Sequence, residues 1–185
     1  MIYIGHSKFR WRPMNSILHA IEPIRSQLAR IALVGYGWGA LPPWARPMQL
    51  EQAYYSDPAY LRKLDVETME PIPFESVIDW MSKATFNPVI SRPTFNMLRL
   101  VTPRFFETPA ASTIPVFGID AEYVAEIYGP EASELVMRDG GTDLFVDIIR
   151  RPEHYRQLVS GIRQHLAARH SQTVRLRELI DIIQA

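Results

Sequence analysis

Residues 102–117 read TPRFFETPAASTIPVF and contain the clearest structural pattern of the chain. Its last four residues, 114–117, have the composition of a short buried strand, and another apolar strand is predicted upstream at residues 86–90. About two turns of helix are predicted between the two strands. Thr102 suits the N-cap and is also a candidate substrate contact, and Pro103 suits the first helical position, where its missing N–H costs nothing.

Two charged side chains of this short helix indicate a ligand site. Arg104 and Glu107 are three residues apart and therefore share one helical face. An Arg at a helix start is suited to a phosphate group, and a carboxylate offers two acceptor oxygens to a sugar diol. The alternative is an ion pair within the helix, which contributes only about 0.2–0.5 kcal/mol.

The same residues carry a resemblance to a known family. The run from Arg104 to Ala111, followed by the strand at 114–117, resembles a segment of the GT-B glycosyltransferases. It is most similar to the spore-protein-type glycosyltransferase-like family, whose core is Pro-Arg-x-Phe-Glu-x-x-Ala. His170-Ser171, with Arg175 and Leu179 after it, resembles the closing helix of that family. The resemblance covers most of the chain, in the order of the C-terminal, donor-binding half.

The resemblance implies a Rossmann-like domain that binds a nucleoside-diphosphate sugar and transfers its sugar without a metal. It implies that Arg104 stabilises the departing diphosphate and that Glu107 holds the ribose. The loop at 71–74, with Ile72 and Phe74, would face the base. GT-B enzymes hold the acceptor in a second domain. Since the chain begins directly on a strand, we expect a fragment that lacks an N-terminal acceptor domain and shows no turnover alone.

The order of apolar runs along the rest of the chain predicts an α/β fold. Strands are predicted at 2–4, 31–34, 66–69, 85–90, 114–117 and 134–137, and helices at 13–28, 58–64, 74–82, 121–128, 142–149, 152–169 and 171–183. A turn is predicted at 139–141, and Pro23 is expected to interrupt the first helix. This alternation predicts one doubly wound parallel sheet with C-terminal helices, whose ligands bind where the strands end.

Composition excludes several classes of function. The 185 residues suit one domain, and the 20 basic and 20 acidic residues give no net charge, so neither nucleic acid nor an anionic membrane is an expected partner. There is no cysteine, and no run of about 20 apolar residues or signal peptide is present. The histidines lack metal-binding spacing. We expect a cytoplasmic protein with no cofactor and no metal, whose acceptor is unknown.

Two loops at strand ends add candidate contacts. After the first strand come His6 and the basic residues Lys8, Arg10 and Arg12, of which one or two would neutralise a diphosphate. The alternative is a solvated basic loop with Phe9 and Trp11 packed inward. After the second strand comes a glycine-rich loop.

In that second loop, Gly35 and Gly37 would bring backbone close to a ligand, or would form a plain loop. No helix opens after them, so a dinucleotide-binding motif is not indicated.

One position departs from the GT-B pattern. Many retaining enzymes carry a second Glu eight positions before the ribose Glu, near the donor sugar. This chain has Arg99 there, which by its position is a candidate substrate contact but puts recognition of the sugar hydroxyls in question. Two other functions therefore stay open. One is a binding module that kept the fold without catalysis. The other is a GT-B-like epimerase or hydrolase, for which only Glu107 and His6 are candidate catalytic groups.

Overall fold

Five parallel strands form the centre of the structure, a computed structural model that describes residues 1–138 and 140–184. They are β1 (Ile2–Ile4), β2 (Ile31–Val34), β3 (Val66–Met69), β4 (Phe86–Val89) and β5 (Ile114–Phe117). Hydrogen bonds join β1, β2 and β3 into one sheet and β4 with β5 into another. The predictions of these five strands are confirmed.

β1 and β4 lie side by side although no ladder of hydrogen bonds joins them. The N–H groups of Ile114 and Gly118 donate to the carbonyls of Thr85 and Val89, so the odd-numbered backbone groups of β4 face β5. Pro88, at an even position, therefore faces β1, and proline has no N–H to donate. This explains why the sheet is interrupted between β1 and β4.

The strand order across both sheets is β3-β2-β1-β4-β5, which is the order of a Rossmann-like fold. The chain runs outward from β1 to β3 and then returns to the other side of β1. The strand order therefore reverses between β1 and β4. In such folds ligands bind outside the carboxyl ends of the strands at this reversal. The predicted α/β fold class is confirmed.

Helices cover the strands on both faces. The α-helices are α1 (Trp11–Ile21), α2 (Pro58–Lys63), α3 (Val77–Ser82), α4 (Pro93–Met97), α5 (Arg104–Ala110), α6 (Ala121–Tyr128), α7 (Thr142–Arg150), α8 (Pro152–His170) and α9 (Gln172–Gln184). Shorter 3₁₀-helices span Glu22–Gln27, Phe74–Ser76 and Pro130–Leu135. The interruption predicted at Pro23 is confirmed, since α1 ends at Ile21 and a 3₁₀-helix follows.

The core divides into two main clusters because successive strand residues point to opposite faces. Tyr3 and Leu33 face the larger cluster, which is filled by α1, α7 and α8. Ile4 and Val34 face a smaller cluster that includes Val77 of α3. Both faces of the sheet are therefore buried, as expected for parallel strands. Within the described residues, no helix combines the length and apolar character needed to cross a membrane.

One predicted element was wrong. The strand predicted at 134–137 does not form, because a 3₁₀-helix that starts at Pro130 continues to Leu135. Val136 makes a single bridge, to Phe117. The helix predicted at 74–82 is confirmed as a 3₁₀-helix followed by α3, and the side chains of Phe74 and Ile78 on it are exposed. Of the predicted turn at 139–141, Asp139 lies outside the described residues.

Candidate functional site

The helix α5 is held rigidly above β4 and β5. Phe105 is buried against Tyr123 and Tyr128, and the hydroxyl of Tyr128 donates to the carbonyl of Phe105 at 3.0 Å. Pro103, with helical angles of −48° and −35°, occupies the N-cap, so the prediction that Thr102 caps the helix was wrong. The carbonyl of Pro103 accepts from the N–H groups of Phe106 and Glu107, and the helix begins at Arg104, one residue later than predicted.

A hollow of about 230 Å³ lies in front of α5, near the carboxyl ends of β1 and β4. Five predicted site residues line it together with three apolar or cyclic neighbours, and the full lining is Arg10, Phe74, Val77, Ile90, Thr102, Pro103, Arg104 and Glu107. The loops after β1, β3 and β4 all contribute to it. The structure therefore brings these five predicted residues together at the reversal of the strand order.

Arg104 reaches from α5 to β1. Its guanidinium carbon lies 5.0 Å from the centre of the Tyr3 ring. A Cβ atom added at Gly5 would lie 2.5 Å from Nη1 of Arg104, so the glycine leaves room for the guanidinium. Arg104 makes no ion pair with Glu107. The ion pair within α5, which was the alternative to a ligand site, is therefore not formed.

Three arginines share one unusual property. In Arg10, Arg92 and Arg104 the Nε atom is buried without a hydrogen-bond partner, and none of the three pairs with a carboxylate of the described residues. Burial lowers the pKa of Arg10, and the charges of Arg104 and Arg92 lower it further. Arginine stays protonated at neutral pH even so. These three guanidinium groups are therefore not held by ion pairs, although Glu107 lies in the wall of the hollow beside Arg10 and Arg104.

His6 lies within the field of the same arginines. Burial lowers the pKa of His6 first, and the charges of Arg10, Arg92 and Arg104 add to that effect. The backbone N–H of Tyr36 donates to Nδ1 of His6 at 3.0 Å. Because Nδ1 accepts this bond, the proton of the neutral ring is on Nε2. His6 is therefore a neutral hydrogen-bond donor rather than a base.

Other buried polar atoms near the reversal also lack partners. They are the Tyr3 hydroxyl on β1, both amide atoms of Asn87 on β4, and the Ser91 hydroxyl after β4. Each of these side chains is at least nine-tenths buried. Buried polar groups are normally hydrogen-bonded, so such a concentration indicates a place where a ligand or water completes the bonding.

The structure does not bring Lys8 and Arg12 to the hollow. The amino group of Lys8 lies 5.8 Å from the centre of the Tyr54 ring, and Arg12 is exposed in the first turn of α1. Phe9 is also exposed, with φ at 56°, instead of packing inward. Of the basic loop, only Arg10 lines the hollow.

The glycine-rich loop has a packing role. A Cβ atom at Gly35 would lie 2.7 Å from the carbonyl carbon and oxygen of Gly5, and one at Gly37 would overlap the hydroxyl of Ser7. Nε1 of the buried Trp38 donates to the carbonyl of Gly5 at 2.6 Å. The loop after β2 thus supports the loop after β1, and neither glycine lines the hollow.

Arg99 and Ile72 also lie outside the hollow. The guanidinium of Arg99 pairs with Glu122 at 2.9 Å and with Glu126 at 3.2 Å, and its carbonyl accepts from the hydroxyl of Tyr123 at 2.6 Å. These bonds anchor the loop between α4 and α5 to α6. Ile72 packs against the smaller core cluster instead of lining the hollow.

Sequence reasoning missed Arg92. Of residues 91–104, only Arg99, Thr102 and Arg104 were singled out as candidate contacts from the sequence pattern. The signal for Arg92 was its place three residues after the end of β4. For metals, the described part of the chain holds no group of three or more His, Cys, Asp or Glu side chains suited to bind an ion.

Comparison with known families gave one match. A family model described as glycosyl transferase-like matches residues 12–181. This range includes Phe74, Arg92, Arg104 and Glu107, whereas Arg10 precedes it. Searches of curated proteins and of solved structures gave no significant match.

Proposed function

Because the chain belongs to the glycosyl transferase-like family, we propose that its hollow binds a nucleoside-diphosphate sugar as the donor for glycosyl transfer. Family membership supports glycosyl transfer in general. We further propose that the donor is a nucleoside-diphosphate sugar. We also propose that the chain is related to the donor-binding half of GT-B enzymes of the spore-protein type. The observation that carries it is that Arg10 and Arg104 line the hollow and form no ion pair with any described carboxylate.

The arginines suit the chemistry of the leaving group. In glycosyl transfer the bond from the anomeric carbon to the diphosphate oxygen breaks, and its electron pair stays on the diphosphate. The acceptor oxygen forms the new bond to that carbon and gives up its proton. Guanidinium groups placed where the negative charge develops stabilise the transition state. In this proposal Arg104 and Arg10, which line the hollow, have that task, whereas the predicted candidate His6 does not line it.

The size of the hollow suggests how the rest of the donor lies. At about 230 Å³ it is smaller than the roughly 300–1,000 Å³ of most ligand pockets. It therefore suits the diphosphate and ribose rather than the whole donor. Glu107, partly buried in the wall, offers two acceptor oxygens to the ribose hydroxyls. Phe74 is 76 % exposed at the rim and offers a flat ring for the base.

The acceptor is not part of this hollow. GT-B enzymes hold the acceptor in a second domain, and we propose that such a domain acts together with residues 1–185. The segment between α4 and α5 supports this, since Met97, Leu98, Leu100 and Val101 are exposed apolar side chains next to Thr102 of the hollow. In this proposal residues 1–185 bind the donor but do not turn it over alone.

The geometry of His6 counts against the alternative of an epimerase or hydrolase. With Nδ1 occupied by the N–H of Tyr36, the ring has no free lone pair to accept a proton. Among the residues that the structure describes, Glu107 is then the one carboxylate that lines the hollow. A binding module without catalysis would still bind the nucleotide. It would differ from a glycosyltransferase only in showing no sugar transfer when the acceptor and its domain are added.

Calorimetric titration with UDP and with GDP tests the proposal. We expect at least one of them to bind with a Kd below about 1 mM. Glu107→Gln should weaken nucleotide binding about tenfold or more, because it removes a charge-assisted bond to the ribose. The same variant should leave pyrophosphate binding unchanged. The matched control is Arg62→Gln, since Arg62 is exposed on α2 and does not line the hollow.

Two outcomes would contradict the proposal. One is that neither nucleotide binds at millimolar concentration. The other is that the Glu107 variant binds the nucleotide as tightly as the unmodified protein does.

A further inference from the structure

The connection between β2 and α2 is unusually long. Residues 35–57, all of which the structure describes, contain neither an α-helix nor a strand. Connections of more than about 12–15 residues without secondary structure are uncommon in compact domains, and they usually serve a function. No residue of this 35–57 loop lines the hollow, so nucleotide binding does not account for its length.

The 35–57 loop has a core of its own and is fixed to the loop after β1. The N–H of Ser7 donates to the carbonyl of Tyr36 at 2.9 Å. The N–H of Phe9 donates to the carbonyl of Ala53 at 2.6 Å. The small core consists of Ala45, Ala53 and Tyr54, with Leu41 and Leu50 packed against them. This packing holds the surface of the loop in one shape before any ligand binds.

Two aromatic rings of this loop face solvent. Tyr36 is 40 % exposed and Trp44 is 39 % exposed, and their ring centres lie 6.2 Å apart with perpendicular planes. Trp44 also packs edge-on against the buried Tyr54, with ring centres 5.0 Å apart. Each exposed ring combines an apolar face with a polar group at its edge, a hydroxyl or an indole N–H. A sugar ring has the matching chemistry, since its C–H groups form an apolar face and its hydroxyls lie around the rim.

Direct contacts join this aromatic surface, defined by Tyr36 and Trp44, to the wall of the hollow. Arg10 lines the hollow, and its Nη1 donates to the carbonyl of His6 at 3.1 Å. The ring of His6 stacks on the ring of Tyr36, with centres 5.0 Å apart and planes 20° from parallel. A molecule bound on the aromatic surface would therefore lie beside the one bound in the hollow.

The chemistry of the loop favours an uncharged ligand with polar groups. Its charged residues are Arg46, Glu51 and Asp57. With so little charge of either sign, the loop suits neither nucleic acid nor another strongly charged partner. It also differs from the segment at 97–101, where none of the exposed apolar side chains is aromatic. That segment suits another protein domain, whereas rings with polar edges suit a saccharide.

We propose that Tyr36 and Trp44 bind a saccharide and that this saccharide is part of the acceptor of glycosyl transfer. The inference rests on the proposed function, because the hollow beside the aromatic surface holds the sugar donor. It assigns a chemical class to the acceptor, which the lining of the hollow does not indicate. Stacking on the two rings holds the acceptor from the side of this domain, and the second domain completes its binding.

Titrations with neutral hexasaccharides of glucose, mannose and N-acetylglucosamine test the aromatic surface. The chain has four tryptophans, whose indole N–H signals can be followed by NMR, and Trp44→Phe assigns the signal of Trp44. We expect at least one hexasaccharide to shift this signal with a Kd of about 1–10 mM. The signal of Trp38, which is fully buried, should stay in place.

Variants of the loop separate stacking from general apolar contact. Trp44→Ala and Tyr36→Ala should each weaken hexasaccharide binding about tenfold, measured by saturation transfer to the sugar, because each removes a stacking face. Met48→Ala is the matched control, since Met48 is an exposed apolar side chain of the same loop without a ring. Its binding should equal that of the unmodified protein. Thermal melting establishes that each variant is folded.

The outcomes distinguish this inference from the proposed function. If no hexasaccharide binds, or if Trp44→Ala binds as tightly as Met48→Ala, the saccharide site is wrong, as it would be for a surface that takes a protein partner. If Trp44→Ala instead weakens UDP-glucose relative to UDP while no hexasaccharide binds, the rings hold the sugar of the donor and the acceptor role is wrong. In each case, binding of UDP or GDP that depends on Glu107 still upholds the proposed function. If neither nucleotide binds, the proposed function is wrong, and the acceptor role is wrong with it.

Discussion

The guanidinium carbon of Arg104 lies 5.0 Å from the centre of the Tyr3 ring, so a side chain of α5 rests on the end of β1. These two residues are about a hundred positions apart in the chain and belong to strand–helix units on either side of the strand-order reversal. A cation over an aromatic ring contributes about 0.5–2 kcal/mol, depending on burial. The contact orients Arg104 toward the hollow before any ligand arrives.

Replacing Gly5 with Ala should disturb this contact selectively. The added Cβ atom would lie 2.5 Å from Nη1 of Arg104 and 3.1 Å from the hydroxyl of Tyr3. The guanidinium must then move, so we expect pyrophosphate and nucleotide binding to weaken about tenfold. Calorimetric titration measures this loss.

Gly161→Ala is the matched control for that substitution. Gly161 lies within α8, and no atom lies within 4 Å of its added Cβ. Alanine favours the helix by about 0.5–1 kcal/mol, so this variant should be more stable and should bind the ligand unchanged. Equal binding by both alanine variants would contradict the importance of the space at Gly5.

Trp38→Phe should lower stability. Nε1 of Trp38 donates to the carbonyl of Gly5 at 2.6 Å, and the ring is fully buried edge-on against Tyr3. Phenylalanine leaves that carbonyl without its partner, which costs about 1–3 kcal/mol. Urea denaturation measures the free energy of unfolding. Trp44→Phe, at a partly exposed ring, should cost about 0.5 kcal/mol or less, and equal losses in the two variants would refute this account.

Phe74→Ala should weaken nucleotide binding without affecting pyrophosphate. Its ring lines the hollow and is 76 % exposed, so the fold depends little on it. Stacking of a base on an aromatic ring contributes about 1–3 kcal/mol, and we expect UDP or GDP to bind about tenfold less tightly. Parallel loss of pyrophosphate affinity would show that Phe74 shapes the hollow instead of stacking on a base.

Stability should fall as the pH drops below about 6.5. Burial, and then the charges of Arg10, Arg92 and Arg104, lower the pKa of His6 from its ordinary value of 6.5. The unfolded chain therefore takes up this proton at a higher pH than the folded protein does. Acid thus favours the unfolded state, and the contribution of neutral His6 to stability is present above pH 6.5 and lost below it.

Urea midpoints at pH 7.5 and about pH 5.5 measure the effect. Burial also lowers the pKa of His170, with Arg175 next in effect, so His6→Gln should reduce the acid loss without abolishing it. If the His6→Gln variant and the unmodified protein lose the same amount of stability between pH 7.5 and pH 5.5, then protonation of His6 does not contribute to the loss.

Local patterns were enough for most of the fold. The five strands have short, strongly apolar sequences bounded by Gly or Pro, and their order follows from alternation with helices. Where the prediction failed, a backbone effect competed with the pattern. Pro130 began a 3₁₀-helix through residues that look like a strand, and Pro103 took the cap position expected for Thr102.

The fold class, the short helix with Arg104 and Glu107, and the strand ends near which the hollow lies can all be read from the order of the residues. Which charged residues meet at the hollow depends on how the strand–helix units pack. This packing paired Arg99 with Glu122 and Glu126, and it left Arg10 and Arg92 without a carboxylate. The physical reason is that pairing of charges depends on distances between separate strand–helix units. Sequence spacing specifies a face within one helix, but not which side chains the reversal of strand order brings together.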